Sequence, residues 1–417
     1  MKLQKIILTS AAVGLLAGLT ACSGGSDSDG STNNTHYTTG AITAFGSVYV
    51  NNTRYNTDNA TVYIEDDVAS ESDLRVGMMV TIKESSPGVA DTIYHDDDVE
   101  GIVLSTNILA DGTGTLDVMG QTVTVTSDTI FESYVSGVTS AAGIEVGNIV
   151  EVTGSSSGHG SVTATRLELK AATLADYLVN YPEGVEVKGI VSGHTETDKT
   201  FDIGGLTVDY TNAVLDDMPA GNWDGLYVEA KSREALNASG RMVAYKVELE
   251  NYGSKYHHDY DSDSEVEVRG DVTEVTSDSV TVNGVTYLLG ESTRYEHGTA
   301  DALMVGALVE VEGYINSNGD LVAKKVEFEG HDSYSELEIQ GNVSAVGSTD
   351  DPNVGTIEIN GLTFHVNSST IMQDSSDAHL NHFNLSSVGV GDLVKLYYFD
   401  NNGTLTVTKL ERETAAM

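Results

Sequence analysis

One pattern recurs along this chain and constrains what it can fold into: a glycine opens an alternating apolar segment, and a second alternating block broken by a tight turn follows it. The opening glycines stand at Gly40-Ala41-Ile42, Gly101-Ile102-Val103, Gly189-Ile190-Val191, Gly270-Asp271-Val272 and Gly341-Asn342-Val343. The second block is clearest at Phe201-Asp202-Ile203-Gly204-Gly205-Leu206-Thr207-Val208, Val280-Thr281-Val282-Asn283-Gly284-Val285-Thr286-Tyr287 and Ile357-Glu358-Ile359-Asn360-Gly361-Leu362-Thr363-Phe364. Asn-Gly between alternating apolar residues signals a hairpin, because both turn positions need a positive φ. A third block sets glycine before another strand, at Val76-Gly77, Val146-Gly147, Asp224-Gly225, Val305-Gly306 and Val390-Gly391. A fourth brings a glycine turn and a last strand, at Gly88, Gly160, Gly240, Gly319 and Gly403. Self-similarity with a period of about 60 to 80 residues marks a repeat architecture.

Each unit therefore reads as three strands, a variable segment, then two strands. The units span 38–98, 99–171, 185–251, 265–330 and 336–413, with linkers at 172–184 and 252–264. The variable segment has helical character at Thr299-Ala300-Asp301-Ala302-Leu303. Val309 and Val311 alternate with Glu310 and Glu312, which predicts one core face and one wet face. The last strand changes phase midway: Leu321 and Ala323 oppose Val326 and Phe328, and the same switch follows Val162 and Ala164, Met242 and Ala244, and Leu405 and Val407. A strand that swaps faces carries a bulge or sharp bend, here predicted near Arg166, Lys246, Lys325 and Lys409. Bent short strands can close into a barrel. The basic residues at the bend read as solvent-facing partners of neighbouring glutamates. Five strands with an insertion after the third resemble the OB-fold. The expected fold is all-β: a tandem array of about five small five-stranded OB-like β-barrel domains.

Charge narrows the function classes. The chain has 21 Lys and Arg against 63 Asp and Glu, a formal net charge of −42. Nucleic-acid binding needs clustered basic residues, so no nucleic-acid partner is expected. Anionic lipid heads are disfavoured for the same reason. Solubility and mutual repulsion are the plain use of such charge, and cation binding is the pointed one.

The N-terminus carries Lys2 and Lys5, then a mostly apolar stretch from Ile6 to Leu19, then Leu19-Thr20-Ala21-Cys22. That stretch is too short for a stable span and reads as a signal peptide at 1–21. The last four residues resemble the bacterial lipobox, whose cysteine is lipidated. Cys22 is the one cysteine in the chain. Lipidation there implies a membrane anchor, and Ser23 after it implies the outer membrane by resemblance to enteric sorting rules. Residues 22–37 would then form a flexible tether of small polar residues.

The repeated blocks Gly-x-Val, Asn-Gly-Val/Leu-Thr, Val-Gly-x-Leu-Val-x-Val and Asn-Gly-x-Leu-x-Ala-x-x-Val are similar to those of the DUF5666 family of bacterial lipoproteins, a domain often found in tandem. The resemblance covers most of residues 38–413. It is strongest in units 3 to 5 and weakest in unit 1, whose last strand around Val89 to Ile93 is short. It implies no catalytic residues, and an OB-like fold does not itself imply nucleic-acid binding.

No phosphate-binding loop, His-Glu-x-x-His helix, Gly-x-Ser-x-Gly elbow or paired Cys-x-x-Cys is present. The strongest constellation lies at the junctions, where His stands beside Asp: His95, Asp96, Asp97 and Asp98; His257, His258, Asp259, Asp261 and Asp263; and His331 with Asp332. Imidazole with carboxylate suits zinc, nickel or copper, and carboxylates alone suit calcium or magnesium. The spacing of Asp259, Asp261 and Asp263 resembles the start of an EF-hand loop, but Ser264 and Gly270 stand where Gly and Glu are needed. A solvated polar linker would have the same composition. His379 and His382 could share a helical face, His159 sits in a turn and His365 on a strand. Trp223 is expected to plug a core or barrel end. Of the adjacent Tyr397 and Tyr398, one must face outward, where a sugar or protein could meet it.

These features point to a non-catalytic, lipid-anchored cell-envelope binding or scaffold protein, with envelope proteins or glycans as partners. A divalent-cation-binding lipoprotein, taking calcium or zinc at the His/Asp junctions, is the alternative. A polymer-acting hydrolase is the second alternative.

Overall fold

The structure, a computed structural model, describes residues 35–250, 264–328 and 337–414, apart from positions 66, 284, 291, 317–319 and 402. Cys22, the signal peptide and most of the tether lie outside the described residues, as do His257, His258, Asp259, Asp261, Asp263, His331 and Asp332.

The second repeat illustrates the architecture. Its first strand, Val99–Ile108, pairs antiparallel with Gly114–Val118 on one side and with Ile149–Ser156 on the other. Gly114–Val118 forms the hairpin with Gln121–Val125. The last strand, Ser161–Ala171, runs antiparallel to Ile149–Ser156 and parallel to Gln121–Val125. That parallel pairing closes a five-stranded barrel. The fourth and fifth repeats close the same way, through Leu288 with Val322 and through Phe364–His365 with Leu405–Thr406. The first repeat closes through a single bridge from Asn56 to Val89.

The variable segment holds a short extra strand that the sequence pattern does not reveal. It is Ile130–Ser133 in the second repeat, with Val214–Asp216, Arg294–Glu296 and Ile371–Asp374 as its counterparts. Each lies parallel to its last strand, just past the bend. The segment at 299–303 is one 3-10 turn, Ala300–Ala302, not a longer helix. The linker at 172–184 contains a helix, Leu174–Asn180, whose cap Thr173 accepts a hydrogen bond from the Asp176 N–H.

The bend in the last strand is present. Thr165, Lys324 and Thr408 are each skipped by the ladder, immediately before Arg166, Lys325 and Lys409. In the third repeat the last strand breaks into Met242–Val243 and Lys246–Glu250 at the same place. The extra residue rotates the strand, so apolar residues on both sides of it face the core.

The co-occurrence of the opening glycine and the Asn-Gly turn has a steric cause. The Asn283 amide folds over Gly270 and donates to the Arg269 carbonyl at 2.6 Å. A methyl at Gly270 would fall 2.4 Å from that amide. Asn51 covers Gly40 in the same manner and donates to the Thr39 carbonyl at 3.0 Å.

The repeats do not hang in a row. The first strand begins at His36 rather than at the expected boundary of 38, so His36 and Tyr37 belong to the first barrel and not to the tether. His36–Thr39 pairs parallel with Glu265–Val268 of the fourth repeat. Val99 and Glu100 of the second repeat pair antiparallel with Val187 and Glu186 of the third. The apolar cores follow these unions: one continuous cluster runs through repeats two and three, and Tyr37 of the first repeat joins the core of the fourth. Ala44 and Tyr49 of the first repeat pack with the fifth.

Candidate functional site

Barrel packing turns part of the expected wet face into an interior. Outward-phase residues Glu168, Glu229 and Glu186 are buried, as are Arg166 and Lys409, which the sequence reading placed in solvent. The reason is tertiary. An outward face on one barrel becomes a joint when another barrel covers it, and the charges there persist only because each finds a partner.

One such joint lies among repeats one, two and three. It contains His95, Asp96, Asp97 and Asp98, all buried rather than forming a solvated linker. His95 ends the strand Val89–His95, and its Nδ1 lies 2.8 Å from the Met79 carbonyl, so that nitrogen carries the proton. Its Nε2 faces Asp97 Oδ1 at 3.5 Å. Burial opposes charge on the ring, yet the Asp97 carboxylate and the Met79 carbonyl hold its pKa above the ordinary value. Asp97 is correspondingly held low: His95, Lys170 and Lys188 outweigh its burial. Asp98 accepts the Gly154 N–H at 2.8 Å, next to the bulge of the second repeat.

Asp96 belongs to a second ring of charge centred on Lys188. The Lys188 ammonium lies 2.7 Å from Glu65, 3.6 Å from Glu229, 3.8 Å from Glu186 and 3.9 Å from Asp96. Glu65 and Asp96 come from the first repeat, and the other two from the third. Lys231 braces Glu186 at 2.5 Å and Glu229 at 3.1 Å. On the far side, Arg166 bonds Glu132 and Glu168, while Lys170 reaches Glu151 at 2.6 Å and Glu168 at 3.2 Å. Where the two first strands pair, Glu100 sits directly opposite Glu186. Like charges in that arrangement repel. Burial, with Asp97 and Glu186 nearby, pushes the Glu100 carboxyl up to about 8, with the Tyr177 hydroxyl beside it.

Among the described residues, three trios of carboxylates have the proximity that a hard cation requires: Glu65, Glu186 and Glu229; Glu229, Glu248 and Glu250; and Glu267, Glu310 and Glu312. In each, a lysine already supplies positive charge. Lys188 contacts all three members of the first. Lys231 and Lys246 hold Glu229 and Glu248 of the second. Lys325 holds Glu310 and Glu312 of the third. An ammonium so placed repels a divalent ion, so these carboxylates fit ion pairing rather than metal ligation.

The remaining sequence candidates are dispersed. Trp223 is buried, stacked on His194 at 4.3 Å, and its Nε1 donates to the Pro219 carbonyl. His379 and His382 share no helix. His379 has φ 40, and His382 stacks on Phe45 of the first repeat at 3.8 Å. His159 and His365 are exposed. Tyr398 packs against the core of the fifth repeat, while Tyr397 lies under Lys395 and Lys409. Sequence reasoning missed Lys188 and Lys170. The available signal was a lysine in the outward phase of a strand in a chain so poor in basic residues.

Fold and joint together define a class: a body of tandem closed β-barrels locked to one another by strand pairing and buried ion pairs. The chain belongs to the DUF5666 family, described as a domain of unknown function, whose model matches residues 39–86, 100–168, 269–327 and 340–411. Contrary to the expectation that units 3 to 5 carry the strongest resemblance, the match includes the first repeat and omits the third, although the third repeat has the same strand order. No curated protein matches the sequence significantly. Among solved structures, a chain titled drosophila Unr CSD456 is similar at 12% identity, over 54% of this chain and 95% of that one, with a TM-score of 0.14.

Proposed function

We propose that this protein is a non-catalytic scaffold of the cell envelope, anchored to the outer membrane through lipid on Cys22. The observation that supports it most is the use made of the charged side chains. Lys188 ties carboxylates of the first repeat to those of the third, which stiffens the barrels into one body. The acidic excess favours a soluble, self-repelling exterior on an anchored protein. A cleft of about 390 Å³ between repeats one, two, four and five, lined by Asn51, Ser155, Thr163, Asp271 and Phe399, suits hydroxyl-rich envelope glycans as partners. The lysines inside the carboxylate trios weigh against calcium or zinc at those trios.

The test is fractionation of the full chain expressed in a bacterial host. Wild type should partition with membranes and take up labelled palmitate, whereas Cys22→Ser should do neither. A Cys22→Ser protein that stays in the membrane fraction would remove the anchor from this reading.

A further inference from the structure

We propose that a second copy of this chain docks on the third repeat, inserting the exposed tip at Met304-Val305-Gly306 against Val214, Tyr245 and Lys246. The molecule already uses this contact once within itself. In the first repeat the turn before the fourth long strand carries Val76 and Gly77, and it is plugged into the second repeat. Arg166 Nη1 donates to the Val76 carbonyl at 3.0 Å, and Thr165 Oγ1 donates to the Gly77 carbonyl at 2.6 Å. Ile130, at the start of the short strand, joins the apolar core around Val76. Only glycine fits at position 77, since a methyl there would meet the Thr165 carbonyl at 2.7 Å.

Every repeat builds the same tip. The tip glycines share one backbone conformation, with φ of 89° at Gly77, 93° at Gly147, 89° at Gly225, 86° at Gly306 and 99° at Gly391. Gly77 is packed, whereas Gly147, Gly225, Gly306 and Gly391 have nothing within 4 Å of their Cβ direction. The valine beside it follows suit: Val76 is 6% exposed, but Val146, Val305 and Val390 are 64%, 66% and 72% exposed. The fourth repeat adds Met304 at 60%, which makes its tip the most apolar of the set.

The third repeat also builds the same socket, in matching register. Ile130 lies beside Arg166 and Glu132 beside Glu168 in the second repeat. Val214 lies beside Lys246 and Asp216 beside Glu248 in the third. Lys246 is held by Asp216 and Glu248 as Arg166 is held by Glu132 and Glu168. Tyr245 occupies the bend where Thr165 stands. Yet Val214 is 65% exposed while Ile130 is buried. A ready socket and ready tips thus coexist on one folded chain: Val214 and Val305 both remain exposed, and Arg233 lies over the Tyr245 ring at the edge of the socket. A second copy satisfies both. Because tip and socket are different surfaces, the contact is head-to-tail and propagates unless a ring closes.

Sedimentation velocity on the full chain over rising concentration tests this. The expected result is reversible, concentration-dependent association. Val214→Asp and Val305→Asp should each weaken it about tenfold, a loss of about 1.4 kcal/mol. Both sites are exposed, so thermal melts of the variants should match wild type. In a Cys22→Ser background, mixing Val214→Cys protein with Val305→Cys protein should give a disulfide-linked dimer. A control pairing Val179→Cys with Val305→Cys should not. A chain that stays monomeric throughout, or association that either aspartate variant leaves intact, overturns the proposal.

Discussion

Repeats three and four place charge on equivalent positions, and they differ in whether another barrel lies on top. Glu186, Lys188 and Glu229 of the third repeat correspond to Glu267, Arg269 and Glu310 of the fourth, as the registers of the two first strands show. In the third repeat the first repeat covers this set, leaving the Lys188 side chain 6% and the Glu229 side chain 5% exposed. In the fourth, Glu267, Arg269 and Glu310 are only half-buried, and Lys325, which serves Glu310 there, also holds Glu312, whose side chain is 42% exposed. One lattice of outward charges is therefore a buried joint in one barrel and a half-wet face in the other. Coulomb attraction and the cost of an unpaired charge both grow as water is excluded, so the two sets should respond very differently to the same insult.

Lys188→Met should produce the largest effect. It strands carboxylates of two repeats in a covered joint, and breaking such a buried pair costs about 3–5 kcal/mol. Urea denaturation followed by fluorescence of Trp223 in the same repeat measures it. A loss below that of Lys325→Met would break the comparison.

The covered joint should also make stability fall with rising pH. The Glu100 carboxyl is pushed up to about 8, and burial lifts Glu250 to about 7, whereas unfolded glutamates titrate near 4.5. Between these values the folded chain holds more protons than the unfolded one. Stability from these groups is thus full below about pH 4.5 and declines as pH rises through 7 and 8. Unfolding free energies from urea titrations at pH 5.5 and 8.5 should differ by on the order of a few kcal/mol, and Glu100→Gln should flatten the curve. A midpoint that rises with pH in wild type would contradict this joint.

At the acid end the fifth repeat works in the opposite sense. Burial resists charge on Asp374, but Arg412, Ser376 and the Leu380 N–H hold its carboxyl down to about 2. Its contribution is present above the unfolded value near 3.8 and is lost as pH falls towards 2. Arg412→Met should therefore move the acid-unfolding midpoint upward by several tenths of a pH unit, roughly what losing one partly buried pair allows.

Lys325→Met should give the smallest change, about 0–1 kcal/mol, because water still reaches its partners Glu312 and Glu327, whose side chains are 42% and 23% exposed. Raising NaCl to about 1 M should erase that difference and leave most of the Lys188→Met loss, since screening reaches exposed pairs far more than covered ones. Equal salt sensitivity of the two variants would mean that the third-repeat joint is open to water.

Much of the barrel was legible from residue order. Strand alternation, the glycine-marked turns and the phase change before Arg166, Lys246, Lys325 and Lys409 depend on neighbours within a few residues, and local chemistry decides them. The short strand at Ile130–Ser133 and its counterparts was not legible, because four residues carry too little periodicity to separate a strand from a loop. Of the site, the sequence marked His95 through Asp98 as an unusual cluster but not as an interior. Nothing local to those residues says that Lys188, far along the chain, will approach them.

The sequence alone thus determined five β units, their turns and bends, and the supply of charge. Only the tertiary structure decided which repeat meets which, that the first pairs with the fourth and the second with the third, and which glutamates leave water. Those choices follow from surfaces formed after each barrel closes. The pairing of such surfaces depends on shape and charge brought together across the chain, which no short stretch of residues encodes.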